Sequence, residues 1–329
     1  LRLSLQRQKN EITRGQGKHD MSINRRDFLK QLAGLGSLPL LLKAKEAQAQ
    51  GQVIDSSDYF GVLVDTTLCI GCRSCEEACN QINKDLPRRP PDYFQDYTVF
   101  DKKRRMDRGS YTVVNSYHNP KNPGKPVYVK FQCMHCIYPA CMSACIVGAF
   151  TKEPNGAVTY DSWKCIGCRY CMAACPFQVP GYEYNNAFTP QVRKCTFCFH
   201  ERLSKGDLPA CVQACPIQVM TSGKRSQMIA LAKERINKYP DRYLPHIYGE
   251  HEVGGTSWLY LSGVTFQTLG LPKFGYMPIP SYTEPIQHAI FKYFLSPLAL
   301  YGILGSIMWF LRPRKENPKP ALNKEGVVK

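Results

Sequence analysis

Acidic residues are scarce in this sequence: 26 Asp and Glu stand against 43 Lys and Arg among 329 residues, a formal net charge of +17. The deficit does not mark a nucleic-acid binder. Residues 1–49 carry +6 and residues 312–329 carry +4, leaving +7 for the body between them, and basic tails argue membrane topology rather than DNA. A cysteine standing apart is also lacking, because all 16 fall into four groups of four. That is about one residue in 20, far more than a chain this long needs for stability, so incidental thiols are excluded and the cysteines share a task.

The first group is Cys69-x2-Cys72-x2-Cys75-x3-Cys79 and the second Cys133-x2-Cys136-x4-Cys141-x3-Cys145. The third is Cys165-x2-Cys168-x2-Cys171-x3-Cys175-Pro176, and the fourth Cys195-x2-Cys198-x12-Cys211-x3-Cys215-Pro216. The first and third have the bacterial ferredoxin spacing, in which three close thiolates wrap one cubane and the fourth reaches a different one. Zinc would use C-x2-C pairs a dozen or more residues apart, a spacing that only the fourth group resembles. Disulfides suit an exported chain with an even count, but they are disfavoured because so many of these pairs lie two residues apart on one turn. Cubane iron wants soft thiolates, and a two-residue gap lets successive sulfurs reach adjacent irons while backbone N–H groups turn toward sulfur. We therefore expect four [4Fe-4S] clusters. Each oxidised cluster with its thiolates carries about −2, which brings the loaded body to about −1. Complete groups leave no iron open to substrate, so the chain is expected to carry electrons and not to be an enzyme.

An internal repeat accompanies the cysteines. At an offset of 96, Asp65, Ile70, Gly71, Arg73 and Ala78 match Asp161, Ile166, Gly167, Arg169 and Ala174. Pro139-Ala140-Cys141 matches Pro209-Ala210-Cys211, and Ala144-Cys145 matches Ala214-Cys215. Gly71 and Gly167 allow close backbone approach, and Ile70 and Ile166 are expected to shield clusters from water. Short apolar or β-branched runs at 59–64, 127–131 and 157–160 read as ferredoxin hairpin strands. The fold class is α+β: two ferredoxin-like units combined in one chain, plus one C-terminal transmembrane helix.

The tails fix the expected compartment. From Met21 the chain reads Asn24-Arg25-Arg26-Asp27-Phe28-Leu29-Lys30, an uncharged run over 31–42, and Ala47-Gln48-Ala49. These are the regions of a twin-arginine export signal, with a basic amphipathic surface helix as the alternative. The run is too short to span a bilayer. Residues 293–311 are 19 positions without formal charge, followed by Arg312, Arg314 and Lys315. At about 1.5 Å per residue they reach roughly 28 Å, enough for the hydrocarbon layer, with a buried core helix as the alternative. Positive flanks mark the cytoplasmic side, so the body is expected on the periplasmic side of the cytoplasmic membrane and the C-terminus in the cytoplasm. The expected layout is an extension at 1–20 ahead of the true start, a signal at 21–49 and a four-cluster double ferredoxin domain at 50–220. An extension packing on that body at 221–285, a transmembrane helix at 286–311 and a basic cytoplasmic tail at 312–329 complete it.

These four groups, in this order and with the long spacer in the fourth, resemble the four-cluster ferredoxin subunits of respiratory membrane complexes. The chain's own signal, the Gln132-Cys133-Met134-His135-Cys136 and Cys168-Arg169-Tyr170-Cys171-Met172 strings, Tyr184-Asn185-Asn186, His246-Ile247-Tyr248-Gly249-Glu250, Gly254-Gly255-Thr256 and the single C-terminal helix narrow the likeness. They resemble the electron-transfer subunits of membrane-bound nickel-iron hydrogenases, over about 21–311. The resemblance implies that Cys69, Cys72 and Cys75 share a cluster with Cys215, and Cys195, Cys198 and Cys211 with Cys79. It likewise pairs Cys133, Cys136 and Cys141 with Cys175, and Cys165, Cys168 and Cys171 with Cys145. It implies partners too: hydrogenase small and large subunits, a multi-helix quinone-reactive membrane subunit, the membrane itself, and no nucleic acid. The equivalent subunit of a molybdopterin oxidoreductase such as formate dehydrogenase is the alternative, disfavoured by the chain's own signal. Asn80 and Ile146 depart from the proline that often follows the fourth cysteine.

Other residues read more blandly. His135 is expected in an exposed loop rather than tuning a cluster, and His288 as a polar anchor at the interface rather than beside a quinone or haem. Lys102, Lys103, Arg104, Arg105 and Arg108, in a Pro- and Gly-bearing stretch over 84–126, read as a solvated insertion rather than a docking site. Ser226 should cap a helix that packs Met228, Leu231, Ala232 and Ile236, ending before Pro240.

Overall fold

The structure is a computed structural model and describes residues 56, 57, 59–186, 188–287 and 295–311. The proposed signal, its leading extension, His288 and the basic tail lie outside the described residues. In chain order the elements are β1 (Phe60–Asp65), α1 (Ser74–Ile82), α2 (Pro91–Gln95), β2 (Val113–Tyr117), β3 (Val127–Phe131) and α3 (Ala140–Ser143). Then come β4 (Phe150–Lys152), β5 (Val158–Tyr160), α4 (Tyr170–Ala174), β6 (Gly181–Tyr182), β7 (Val192–Arg193) and α5 (Ala210–Gln213). The last are β8 (Met220–Lys224), α6 (Arg225–Lys238), β9 (Trp258–Leu261), α7 (Pro280–Gln287) and α8 (Leu295–Leu311).

Each cysteine group ends in a short helix, and these helices pack in nested pairs: α1 against α5, and α3 against α4. The outer unit is thus assembled from the first and fourth groups, with the inner unit of the second and third groups inserted between them. β1 closes the outer unit by pairing antiparallel with β8, from Phe60↔Lys224 to Val64↔Met220. The inner unit has the β4–β5 hairpin, Phe150↔Tyr160 to Lys152↔Val158. This is the α+β ferredoxin-like body expected from the repeat. On its other edge β1 pairs in parallel with β9, Val62↔Trp258 to Asp65↔Leu261. A strand with neighbours on both edges and cover on both faces reads as a continuous apolar run, which is why Val62, Leu63 and Val64 are all buried. Trp258 and Tyr260 join the same core as Val62 and Val64, so the segment after 220 is woven into the ferredoxin sheet.

Proline accounts for the difference between the repeat-related helices α1 and α4. Pro176 pushes its predecessor out of helical space, and α4 ends at Ala174 with Cys175 extended at φ −74, ψ 113. Asn80 imposes no such stop, so α1 runs on to Ile82. The Asn80 side chain then ties down the insertion, donating to Pro87 O at 2.9 Å and accepting the Arg89 N–H at 3.2 Å.

Three sequence expectations need correction. The α6 helix starts at Arg225 with Lys224 as its N-cap and no side-chain cap, so Ser226 lies inside the first turn. The basic run is not merely solvated: Lys102, Arg105 and Arg108 are exposed, but the Arg104 guanidinium forms an ion pair with buried Glu76 at 2.6 Å. His135 is fully buried. It stacks on Phe197 at 4.5 Å between ring centroids, and its Nδ1 accepts the Val158 N–H at 2.9 Å.

α8 is an apolar helix of 17 residues. No described helix is long and apolar enough to cross a membrane; the uncharged run begins at Tyr293, outside the described residues.

Candidate metal centres

A recurrent backbone device presents the thiols. At the first and third groups the chain enters its helix through left-handed residues, Gly71 and Arg73 at φ 73 and 63, and Gly167 and Arg169 at φ 70 and 61. The reversal turns N–H groups toward sulfur. Gly167 N donates to Cys165 Sγ at 3.4 Å, and Phe197 N to Cys195 Sγ at 3.4 Å. The fourth member of a group receives an N–H from four residues on: Ala149 to Cys145 at 3.2 Å and Val219 to Cys215 at 3.3 Å. Sulfurs that accept such bonds are suited to the thiolate form.

The thiols converge across groups. Cys69, Cys72, Cys75 and Cys215 line one cavity. Cys79 lines a second with Cys195, Cys198 and Cys211. A third is lined by Cys133, Cys136, Cys141 and Cys175. Around Cys171 gather Cys165, Cys145 and Cys168, close enough to repel it as thiolates. Among the described residues, no group of three or more His, Cys, Asp or Glu side chains closes on a single ion, as a zinc tetrahedron with bonds near 2.3 Å would require. The thiols instead surround volumes. Ile70 lines the first cavity, yet it and Ile166 are exposed. Gly71 is fixed by its φ and by Tyr128, whose ring would lie 2.6 Å from an added Cβ.

Burial works against bare thiolates here. It pushes the Cys69 thiol up to about 11, with the sulfurs of Cys72 and Cys215 adding to the rise against the Gly71 N–H. Burial likewise lifts Cys195 to about 12 and Cys198 to about 11, and Cys75, Cys79 and Cys136 well above the ordinary range. Four crowded, desolvated sulfurs with N–H donors aimed at them suit a soft cationic core, since coordination deprotonates thiols outright. The residues present fit [4Fe-4S] clusters.

The foursomes lie in a row. Cys75 of the first cavity and Cys211 of the second bear electrostatically on one another, as do Cys195 of the second and Cys133 of the third, and Cys141 of the third and Cys171 of the last. Sequence reasoning missed the cations between them. Lys130 and Lys194 are each 3% exposed; Lys130 lines both the first and second cavities, and Lys194 the third. The signal was slight: a lysine one to three residues before the first cysteine of a group. Lys164 before Cys165 shares it and is exposed.

The pattern of the 4Fe-4S dicluster domain matches residues 125–225. The Hydrogenase-2 operon protein HybA of Escherichia coli O157:H7 is 38% identical over 90% of this chain and 97% of its own length. The nitrate-inducible formate dehydrogenase iron-sulfur subunit of Escherichia coli (strain K12) is 34% identical over 78% of this chain and 84% of its own. A protein of Nitratidesulfovibrio vulgaris is 50% identical over 79% of this chain and 70% of its own. With thiols built to hold [4Fe-4S] clusters in a row, and with likeness to HybA running nearly end to end, the chain belongs to the HybA family of iron-sulfur electron-transfer subunits of oxidoreductase complexes.

Proposed function

We propose that each foursome ligates one [4Fe-4S] cluster and that the chain, without chemistry of its own, relays electrons between a hydrogenase small and large subunit pair and a multi-helix quinone-reactive membrane subunit. The observation carrying this reading is the row itself: four thiol foursomes, each with a neighbour close enough to feel its charge. The chain's own residues hold the clusters, bury all four cysteines of the second site, and leave the two ends open. At one end Ile70 is exposed; at the other Ile146, Trp163, Ile166 and Tyr170 are. Exposed apolar residues of this kind suit partner docking. Because α7 packs on α3 and leads toward the uncharged run at 293–311, the membrane subunit is assigned to the end at Cys165, Cys168, Cys171 and Cys145, and the catalytic pair to the Ile70 end.

The same reading makes 21–49 a twin-arginine signal and 293–311 a membrane anchor, with the body in the periplasm and the basic tail in the cytoplasm. A reporter fused after Lys329 should then be active only if it works in the cytoplasm, and changing Arg25 and Arg26 together to Lys should strand unprocessed protein inside.

Deletion of the chain tests the function. Hydrogen-dependent reduction of an artificial dye should survive, since the dye takes electrons at the catalytic pair, while hydrogen-dependent quinone reduction should be lost. Persistence of both overturns the conduit. A split seen with formate and not with hydrogen moves the chain to the molybdopterin alternative.

A further inference from the structure

We propose that Lys130 is a fixed positive charge shared by the first two clusters, raising the reduction potentials of both, and that Lys194 does the same between the second and third. The inference rests on the ligation proposed above. Lys130 projects from β3 into the wall common to the first two cavities. Its Nζ donates to Gln132 Oε1 at 2.8 Å and lies 4.5 Å from the Trp258 ring centroid. The holder is itself held: Gln132 Nε2 donates to the Tyr260 hydroxyl at 2.7 Å, and that hydroxyl donates to the Lys130 carbonyl at 2.9 Å. The ammonium cannot swing to solvent.

Among the described residues, no carboxylate forms an ion pair with Lys130. A buried ammonium without a counter-charge is costly, and the anions that bear on it are the sulfurs of Cys211, Cys75 and Cys195. Lys194 is buried as deeply. Its Nζ donates to Val158 O at 2.5 Å and to the carbonyl of Cys195, a second-cavity residue, at 3.0 Å, while its side chain lines the third cavity. Accepting one electron from a donor or from the neighbouring cluster takes a loaded site from about −2 to about −3. A cation fixed in a medium of low dielectric favours the more negative form.

The test is an anaerobic redox titration of the full-length protein with paramagnetic spectra assigned to each site, alongside iron and sulfide analysis. Lys130→Met should lower the first two potentials by at least a tenfold change in the reduction equilibrium, 59 mV for one electron, and leave the fourth in place. Lys130→Arg should stay near the parent. Lys194→Met should move the second and third. Unmoved potentials with all clusters retained overturn the proposal. If Lys130→Met does not load, Lys130→Gln and Lys130→Arg decide: loading by Arg alone supports a charge requirement, and failure of both overturns it. A parent protein lacking iron and sulfide would overturn the ligation instead, so the two failures are distinct.

Discussion

Glu76 Oε1 accepts the Val114 N–H at 2.6 Å, joining the helix of the first cysteine group to a strand 38 residues on. The same carboxylate takes Arg73 at 2.9 Å and Arg104 at 2.6 Å, and the Arg73 side chain is fully buried. Arg73 also donates to the carbonyls of Tyr93 and Asp96. One carboxylate therefore binds helix, insertion and hairpin into the wall of the first cavity.

Removing that charge leaves the fully buried Arg73 guanidinium and the part-buried Arg104 guanidinium without their shared carboxylate. Glu76→Gln should cost about 3 kcal/mol, which at this size lowers the melting midpoint on the order of 5–10 °C. Lys164→Gln, which breaks an exposed pair with Asp161 at 3.5 Å, should cost under about 1 kcal/mol. Calorimetry of the loaded proteins compares them, and equal costs would deny Glu76 its bracing role.

The repeat-related glycines should respond unequally. Both have positive φ, which costs a residue with a side chain about 1–2 kcal/mol. At Gly71 an added Cβ would sit 2.6 Å from the Tyr128 ring, whereas at Gly167 it meets the Tyr182 hydroxyl at 2.9 Å, the far end of a side chain that can swing. Gly148 has open space. Thermal melts should rank Gly71→Ala as most damaging, Gly167→Ala next and Gly148→Ala least.

Much of this was legible from local pattern. The spacing of Cys69, Cys72 and Cys75 dictates a chain wound round one object, and residues 127–131 and 157–160 carried enough β-branched character to mark β3 and β5. What resisted reading depends on distant partners. Lys130 looks like an ordinary strand-edge lysine until Trp258 and Tyr260 cover it, 128 and 130 residues later. His135 reads as a loop residue because nothing local announces the Phe197 ring and the Val158 N–H that bury it. The parallel partner of β1 was hidden for the same reason: Trp258 to Leu261 is apolar in a way that equally suits a packing extension.

Crossed ligation predicts a displaced lesion. Cys175 lines the third cavity with Cys133, Cys136 and Cys141, not the site of its own neighbours Cys165, Cys168 and Cys171. Cys175→Ser should therefore shift the spectrum of the third cluster and spare the fourth. The reverse outcome would reject the crossing, and equal damage to both would mean that the inner unit had collapsed as a whole.

The fourth site should also be the first to fail under oxidation. Cys168 is exposed, whereas the second cavity keeps Cys79, Cys195, Cys198 and Cys211 all buried. Oxidants reach exposed sulfur first and carry it through sulfenic acid toward the irreversible sulfinic and sulfonic acids, and the flanking Trp163 and Ile166 offer no cover, being exposed themselves. On controlled air exposure, iron should fall from roughly 16 toward roughly 12 per chain while the fourth cluster's spectrum disappears, and Cys168 should be the first cysteine alkylated in mass spectrometry. The row has a second consequence here. If this end docks on the membrane subunit, a complex with that subunit should protect Cys168 and delay that first loss. Equal lability of the second and fourth sites in the isolated chain would contradict the burial argument, and unchanged labelling of Cys168 in the complex would place the membrane partner elsewhere.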